Sequence, residues 1–306
     1  MELLEILRCP LCGAPLRDDG AGLACTSCGR TFGRSPQGIP LLLHEDLPGA
    51  REKLREAEGW LDKARNEGWY EPDDTVDAVL PFVNRELGWN DPNWLANGYS
   101  FEVLLDRYIE GARGLRVLEV GAAKAWGSRF WLERDCDYVA TDILVDPNIG
   151  LGRSAFYGDF GRVQADGEHL PFAGGSFDVT YCVATLHHAL DLPKMVREMA
   201  RVTKPGGLVA GLNEGTRGLG RSSDNPEQSG EKALGINEHV HTAVAYAVAF
   251  MRAGLVVRRM ERSDGRPPVP FGYFLSRIPK VGMTVGTIAH LSATRYAGIS
   301  IYARKP

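Results

Sequence analysis

The chain has no run of about 18 apolar residues, so no segment of it reads as a helix able to cross a bilayer. It also lacks a large excess of either charge: 35 Lys and Arg against 39 Asp and Glu leave a formal net charge of −4. A protein that coats nucleic acid needs a large cationic excess, so that class is disfavoured and only a local basic face would serve it. The first residues, MELLEILRCPLCG, show no basic region followed by an apolar stretch and a small-residue cleavage site. No secretory leader is therefore expected, and a cytoplasmic location is. Internal repeats and low-complexity segments are absent. What is present is 306 residues, 44% hydrophobic and 24% charged, the composition of a globular chain with one large domain or two.

Cysteine is scarce but unevenly placed. Four of the six lie in the first 28 residues, as Cys9-Pro-Leu-Cys12 and Cys25-Thr-Ser-Cys28, while Cys136 and Cys182 stand alone. In a reducing compartment, paired CxxC turns read as a metal site rather than as disulfides. Gly13 and Gly29 directly follow each pair, where backbone freedom helps the turn. Four thiolates form the closed tetrahedral set of a structural Zn²⁺, with Cys9, Cys12, Cys25 and Cys28 as ligands and no open position for catalysis. The intervening residues suit a hairpin, Pro15 to Arg17 and Gly22 to Ala24, turning at Asp18-Asp19-Gly20. A ribbon of this size buries too little apolar surface to fold alone, so the metal supplies much of its stability. Its side chains balance, with four Arg against Glu2, Glu5, Asp18 and Asp19 up to residue 44, which makes it a weak phosphate binder. Its tail, Gly38 to Leu43, is an apolar strand-like run that needs a covering surface, the following domain being the nearest.

Residues 47–112 follow the ribbon (1–46) as a helical linker or cap. Arg51 to Asn66 reads as an amphipathic helix with Leu54, Ala57, Leu61 and Ala64 on one face. A second helix is expected from Thr75 to Leu87, punctuation at Asn90-Asp91-Pro92-Asn93, and a third helix from Phe101 to Glu110. Trp60, Trp69, Trp89 and Trp94 fall in this stretch; they either line a pocket or lid, or staple short helices to the main core.

From residue 113 to 306 short apolar strands alternate with helices. Leu115 to Gly121 reads as a strand entering a small-residue turn, Ala122 to Gly127, and then a helix from Ser128 to Arg134. Strands follow at Tyr138–Asp142, Arg162–Asp166, Phe177–Val183 and Leu208–Leu212, with a helix from Leu192 to Val202. Repeated strand–helix units predict an α/β, Rossmann-like, doubly wound, mostly parallel sheet whose ligands bind at the carboxyl ends of the strands.

The segments VLEVGAAKAWGS, ATDI, QADGEHLPFAGGSFDVTYCVATLHH and KPGG, in this order and spacing over roughly residues 115–212, resemble class I S-adenosylmethionine-dependent methyltransferases, particularly those acting on small molecules such as quinones. The ribbon looks like the small zinc domain that activates several methyltransferases as a separate partner, and ribbon–methyltransferase fusions occur among enzymes that modify ribosomal RNA. The resemblance implies S-adenosylmethionine as cofactor. Glu119 and Gly121 open the glycine-rich turn beside its methionine part, with Ala123 and Ala125 where the family has further glycines. Alanine there allows close approach if its φ stays negative. Asp142 matches the acid that takes both ribose hydroxyls, and Asp166 with the Gly167 backbone faces the adenine. Val183 and Leu186 wall the cofactor, and His187 packs against it.

Methyl transfer from a sulfonium is an in-line displacement governed by proximity, and a base matters only where the acceptor must lose a proton. His188, Glu214, His239 and His241 sit on loops after the fourth and fifth strands and are the candidates for that role. Together with His187 and Glu238 they could equally form a second metal site, and His239 and His241 could simply lead into a helix capped by Thr242. Asn213 to Gly235 reads as a mobile loop, and Gly254–Arg262 and Ala297–Arg304 as strands completing the sheet. The apolar insertion at Pro267–Leu275 and Ile278–Leu291 has three readings: core filling by default, a hydrophobic acceptor site, or a homodimer contact. The expected function is methyl transfer to a small or natural-product-like acceptor. An RNA methyltransferase gripping its substrate with the ribbon is a less favoured partner class, and a non-catalytic scaffold that kept the fold is the third reading. Cys136 and Cys182, in or beside strands, read as core thiols.

Overall fold

The computed structural model describes residues 3–223, 228–266, 282–294 and 296–306. The apolar insertion expected at Pro267–Leu275 and Ile278–Leu291 lies outside the described residues up to residue 281.

Three short strands build the ribbon: β1 (Leu16–Asp18), β2 (Leu23–Cys25) and β3 (Thr31–Phe32), in the order β1-β2-β3 and antiparallel throughout. The hairpin turns where it was expected, because Asp18 Oδ1 accepts from Gly20 N and Asp19 Oδ1 from Ala21 N and Gly22 N. The ribbon does not stand apart. Arg8 N donates to Pro171 O at 2.8 Å, Leu42 N to Gln164 O at 3.0 Å, and Gln164 N to Pro40 O at 2.9 Å. Its apolar tail thus lengthens the main sheet at the edge, and Leu7, Phe32 and Leu42 join the core beneath it.

In the cap, α1 (Ala50–Glu67) occupies the span its periodicity predicts but only part of the predicted face, burying Ala57 and Ala64 and not Leu54. The buried positions are Ala50, Lys53, Glu56, Ala57, Gly59 and Ala64, while Leu54 is 39% exposed. The helix covers a charged cluster rather than an apolar core, so its ionised positions turn inward. The second expected helix is instead two single turns, Asp74–Asp77 and Val83–Glu86, broken at Pro81, which has no amide hydrogen to continue the ladder. The third begins nine residues early: α2 runs Pro92–Val103, because Asp91 caps it by accepting from Asn93 N and Trp94 N and Pro92 takes its first position. What read as punctuation is a start signal. Phe101 and Trp94 staple this layer to the core, while Trp69 and Trp89 are 39% and 43% exposed.

The main sheet has seven strands: β4 (Arg116–Val120), β5 (Asp137–Asp142), β6 (Gly161–Gln164), β7 (Phe177–Val183), β8 (Thr203–Arg217), β9 (Val256–Arg262) and β10 (Tyr296–Arg304). The order is β6-β5-β4-β7-β8-β10-β9, with the first five parallel and β10 antiparallel to both neighbours. The chain leaves β4 toward β5 on one side and resumes at β7 on the other, which opens a crevice at the carboxyl end of β4. Helices α3 (Ser128–Leu132), α4 (Leu192–Val202), α5 (Ala243–Arg252) and α6 (Gly282–Ala293) cover the sheet. Alternation along the strands splits the core: Leu118 and Val120 pack with α4 and α5, whereas Val117 joins Phe101, Trp131 and Tyr181 on the other face. No described helix is long and apolar enough to cross a membrane.

Candidate functional site

Four sulfurs converge in the ribbon. Cys9 Sγ lies 3.8 Å from Cys28 Sγ, and Cys12 Sγ lies 3.4 Å from Cys25 Sγ. Sulfurs about 2.3 Å from one tetrahedral ion sit roughly 3.8 Å apart, so the set fits Zn²⁺. Ser27 N and Cys28 N both point at Cys25 Sγ at 3.4 Å, which favours its thiolate.

The crevice of the main sheet is built around the turn after β4. Gly121 has φ +70°, and a Cβ there would lie 2.2 Å from the Thr185 side chain, so both conformation and space demand glycine. Ala123 and Ala125 also take positive φ, +47° and +57°. The condition for an unstrained close approach, a negative φ, is therefore not met at either alanine, and the turn carries strain of about 1–2 kcal/mol per residue. Ala123 N donates to Asp142 Oδ2 at 2.7 Å and Leu144 N to Oδ1 at 2.8 Å, fixing that carboxylate at the end of β5. Asp166 is buried, accepting from Glu168 N at 3.0 Å and meeting His169 Nδ1 at 2.8 Å. At Gly167 a Cβ would come 2.8 Å from Met195 Cε.

Glu119 meets the turn only at its far end, where a Cβ at Gly127 would lie 2.8 Å from Oε2. Its side chain points to the opposite face, where Oε2 accepts from Tyr138 and, at 2.5 Å, from Tyr181. Burial pushes this carboxyl up to about 7, against the two phenols that favour its charge. Alternation along β4 places this carboxyl on the same face of the sheet as Val117, with the two tyrosines.

After β7, the backbone turns at Ala184 and the two histidines follow. Glu214 lies fully buried beneath them: Oε1 accepts from Thr185 N and Leu186 N, both at 3.0 Å, and Oε2 from His187 N at 3.3 Å and His187 Nδ1 at 2.9 Å. Burial opposes its charge, but His187 and these amides hold it below the usual carboxylate range. Expected as a base, Glu214 is instead an anchor whose lone pairs are occupied. Leu186 is fully buried and Val183 half-buried beside it.

His188 is likewise not free to act as a base. Burial disfavours its charge, yet Glu56 at 3.0 Å and Glu238 at 3.9 Å overrule that and raise its pKa to about 9. Its Nδ1 also donates to Asn237 O at 2.6 Å. Glu56 comes from α1, as does Lys53, whose Nζ donates to His188 O at 2.6 Å and approaches Glu168 at 3.8 Å. Neither α1 residue was foreseen; the signal was two ionisable residues on the face that should have been apolar. Trp60 packs edge-on against His188 at 5.8 Å.

The other two histidines diverge. His239 is exposed, with its amide bonded to His187 O at 2.9 Å. His241 sits against Tyr246, and burial followed by the charge of His239 lowers it to about 4, so it is neutral. Thr242 caps α5 through Ala245 N, as one reading of this stretch had it. The cap is pinned to the crevice by Asp77, fully buried, which pairs with Lys124 of the turn and with Arg153, both at 2.8 Å. A groove of about 550 Å³ lies instead at the amino ends of β5 and β6 beneath the ribbon tail, away from this chemistry.

Two family models match the chain: a methyltransferase domain over residues 118–211 and a Trm112p-like protein over residues 2–32. Demethylmenaquinone methyltransferase of Corynebacterium urealyticum is 35% identical over 104 residues, 34% of this chain and 44% of that protein. Malonyl-[acyl-carrier protein] O-methyltransferase of Erwinia pyrifoliae is 35% identical over 116 residues, 36% of this chain and 44% of that protein. The matches therefore span less than half the length of these relatives. In fold, geranyl diphosphate C-methyltransferase of Streptomyces coelicolor A3(2) superposes with a TM-score of 0.56 at 13% identity, covering 85% of this chain and all of the other. The chain thus matches a methyltransferase domain over residues 118–211 and, in front of it, a Trm112p-like segment whose four cysteines could hold a metal ion.

Proposed function

We propose that the protein transfers a methyl group from S-adenosylmethionine to a small-molecule acceptor, with the ribbon as a structural element. The observation that carries this reading is the pair of acids at the carboxyl ends of adjacent parallel strands, around the left-handed turn at Gly121. Each oxygen of Asp142 accepts one amide and keeps a second lone pair, which is the arrangement a vicinal diol needs. Asp166 likewise has capacity left for an exocyclic amino group beyond its bonds to Glu168 N and His169. The residues present therefore fit the cofactor, which when bound supplies the electrophilic methyl group.

The chain's own contribution is alignment and exclusion of water. Val183 and Leu186 give the crevice an apolar wall, and Glu214 holds the Thr185–His187 turn rigid through its backbone amides. Helix α1, with Trp60, Lys53 and Glu56, closes the side where an acceptor would approach. His241, lowered to about 4, keeps a neutral ring and offers a lone pair to an acceptor that must lose a proton. The ribbon's balanced side-chain charge and its use of one edge to extend the sheet favour a small molecule over RNA.

Calorimetry with S-adenosylmethionine tests the reading. Asp142→Ala removes two charge-assisted bonds and is expected to weaken binding by roughly 100-fold. Absence of binding at millimolar cofactor would sink the enzyme reading and leave the scaffold. A salt-sensitive gel shift with total RNA would turn the argument toward an RNA substrate. Product mass after incubation with a panel of phenolic, carboxylic and amine acceptors identifies the acceptor class.

A further inference from the structure

From the geometry of the loops after β7 and β8 we infer a second metal site, formed by His187, His188 and Glu238 and suited to a first-row divalent ion. The three side chains offer ligand atoms within 4.8 Å of one another. The rings of the two histidines stand 4.3 Å apart and tilted by 39°. His187 Nε2 lies 3.7 Å from Glu238 Oε2, and His188 Nε2 lies 3.9 Å from Glu238 Oε1. Both distances are too long for hydrogen bonds. They are close to the separation of roughly 3–3.5 Å expected between ligands about 2.1 Å from one ion.

The other ring nitrogens say why those lone pairs point inward. His187 Nδ1 meets Glu214 Oε2 at 2.9 Å, and His188 Nδ1 meets Asn237 O at 2.6 Å, with Glu56 Oε1 at 3.0 Å. A carboxylate and a carbonyl only accept, so each Nδ1 carries its hydrogen; binding a cation displaces the Nε2 proton of His188 and leaves both Nε2 lone pairs toward Glu238. Those two lone pairs face the lone pairs of Glu238, an arrangement that a cation between them reconciles. Metal-ligating histidines characteristically donate their second nitrogen to a carboxylate or carbonyl in this way. Charge argues in the same direction: four carboxylates are buried here, Glu56 and Glu168 beside Lys53, and Glu214 and Glu238 beside the two histidines. Gln228 Nε2 donates to Glu238 Oε2 at 2.5 Å and steadies the carboxylate.

Two imidazoles and one carboxylate suit Zn²⁺, Co²⁺, Mn²⁺ or Fe²⁺ and leave coordination positions open for water or an oxygen of an acceptor. The site adjoins the crevice, because Thr185, two residues before His187, sits over Gly121. The acceptor-binding role rests on the methyl-transfer reading; the metal site does not.

The test is a titration of the whole chain, its ribbon first loaded with Zn²⁺, with Co²⁺ as probe. One equivalent is expected to bind with ligand-field absorption but without the thiolate charge-transfer band that cobalt in the ribbon would show. Glu238→Gln is expected to weaken Co²⁺ at least 10-fold. Glu214→Gln, which alters the partner of His187 Nδ1 and the acceptor of the Thr185–His187 amides, is expected to weaken it by about 10–100-fold, while His239→Ala leaves it unchanged. Metal-free thermal transitions establish that each variant is folded. Should Glu238→Gln fail to fold, the wild-type titration still decides. No saturable Co²⁺ binding by the wild type at millimolar concentration, or equal binding by a folded Glu238→Gln, would overturn the site. Cofactor calorimetry on the same samples keeps the outcomes separate: Co²⁺ binding without S-adenosylmethionine binding upholds the metal site and defeats the methyl-transfer reading.

Discussion

The amide of Ala123 donates to Asp142 Oδ2 across 2.7 Å, and Ala123 holds a left-handed φ of +47° in doing so. One hydrogen bond thereby joins the turn after β4 to the acid at the end of β5, the two parts of the crevice assigned to the cofactor. The strain in the turn and the orientation of the carboxylate are the same feature seen from two sides.

Glycine relieves that strain at either alanine, but the two sites differ in burial. Ala123 is exposed and Ala125 fully buried. Ala123→Gly trades about 1 kcal/mol of left-handed strain for a comparable loss of chain entropy and is expected to be near neutral. Ala125→Gly also loses a buried methyl and is expected to be less stable than Ala123→Gly by about 0.8 kcal/mol. Urea midpoints of the two variants check the ranking.

Asp77 balances Lys124 and Arg153 from full burial. Asp77→Asn leaves Lys124 without its counter-charge and Arg153 with Asp74 alone, and is expected to cost roughly 2–4 kcal/mol, the lower part of the range because the cations keep 20% and 16% side-chain exposure. Thermal denaturation measures the loss. Adding Lys124→Met to Asp77→Asn should recover part of it, and a double variant no better than the single one would refute the electrostatic account.

Glu119 makes stability depend on pH. Its folded pKa of about 7 is above the ordinary 4.5, so the native state holds a proton that the unfolded chain has released between those values. The contribution is complete below about pH 4.5, declines as pH rises toward 7 and is absent above it. Its size is on the order of 3 kcal/mol. Glu119→Gln, neutral and still able to accept from a tyrosine, should flatten this part of the profile in urea unfolding from pH 5 to 8. An unchanged slope in the variant would place the titration elsewhere.

Zinc removal should act beyond the ribbon. Structural zinc contributes on the order of 10 kcal/mol to such a fold, so chelation or Cys9→Ser with Cys25→Ser is expected to unfold residues 3–43 and remove one zinc equivalent. The bond from Gln164 N to Pro40 O would be lost with it. Hydrogen exchange should then show the Gln164 amide deprotected while β4 and β7 stay protected. Retained protection at Gln164 would mean that the edge strand is ordered without the ribbon.

Much of this architecture was legible in local pattern. The CxxC pairs, the parallel strands and the acids ending β5 and following β6 are short-range signals, each resting on a few consecutive residues. The early start of α2 was written there too, in Asp91-Pro92, but those residues also serve as turn formers, and only the observed cap bonds separate the two uses. The face of α1 was legible only in part because periodicity identifies an apolar stripe, whereas this helix turns Lys53 and Glu56 inward to meet His188 and Glu168.

By itself, then, the sequence determined the metal-held ribbon, the doubly wound sheet and the positions of the cofactor acids, because each follows from backbone geometry and ligand chemistry over short spans. Tertiary structure alone decided what the ionisable groups do. It made Glu214 an anchor and His188 a cation, and it set Glu119 against two tyrosines. It also brought α1, the loop after β7 and Glu238 together around one cluster. Those roles depend on burial and on charges contributed by residues far apart in the chain, and neither is written in spacing.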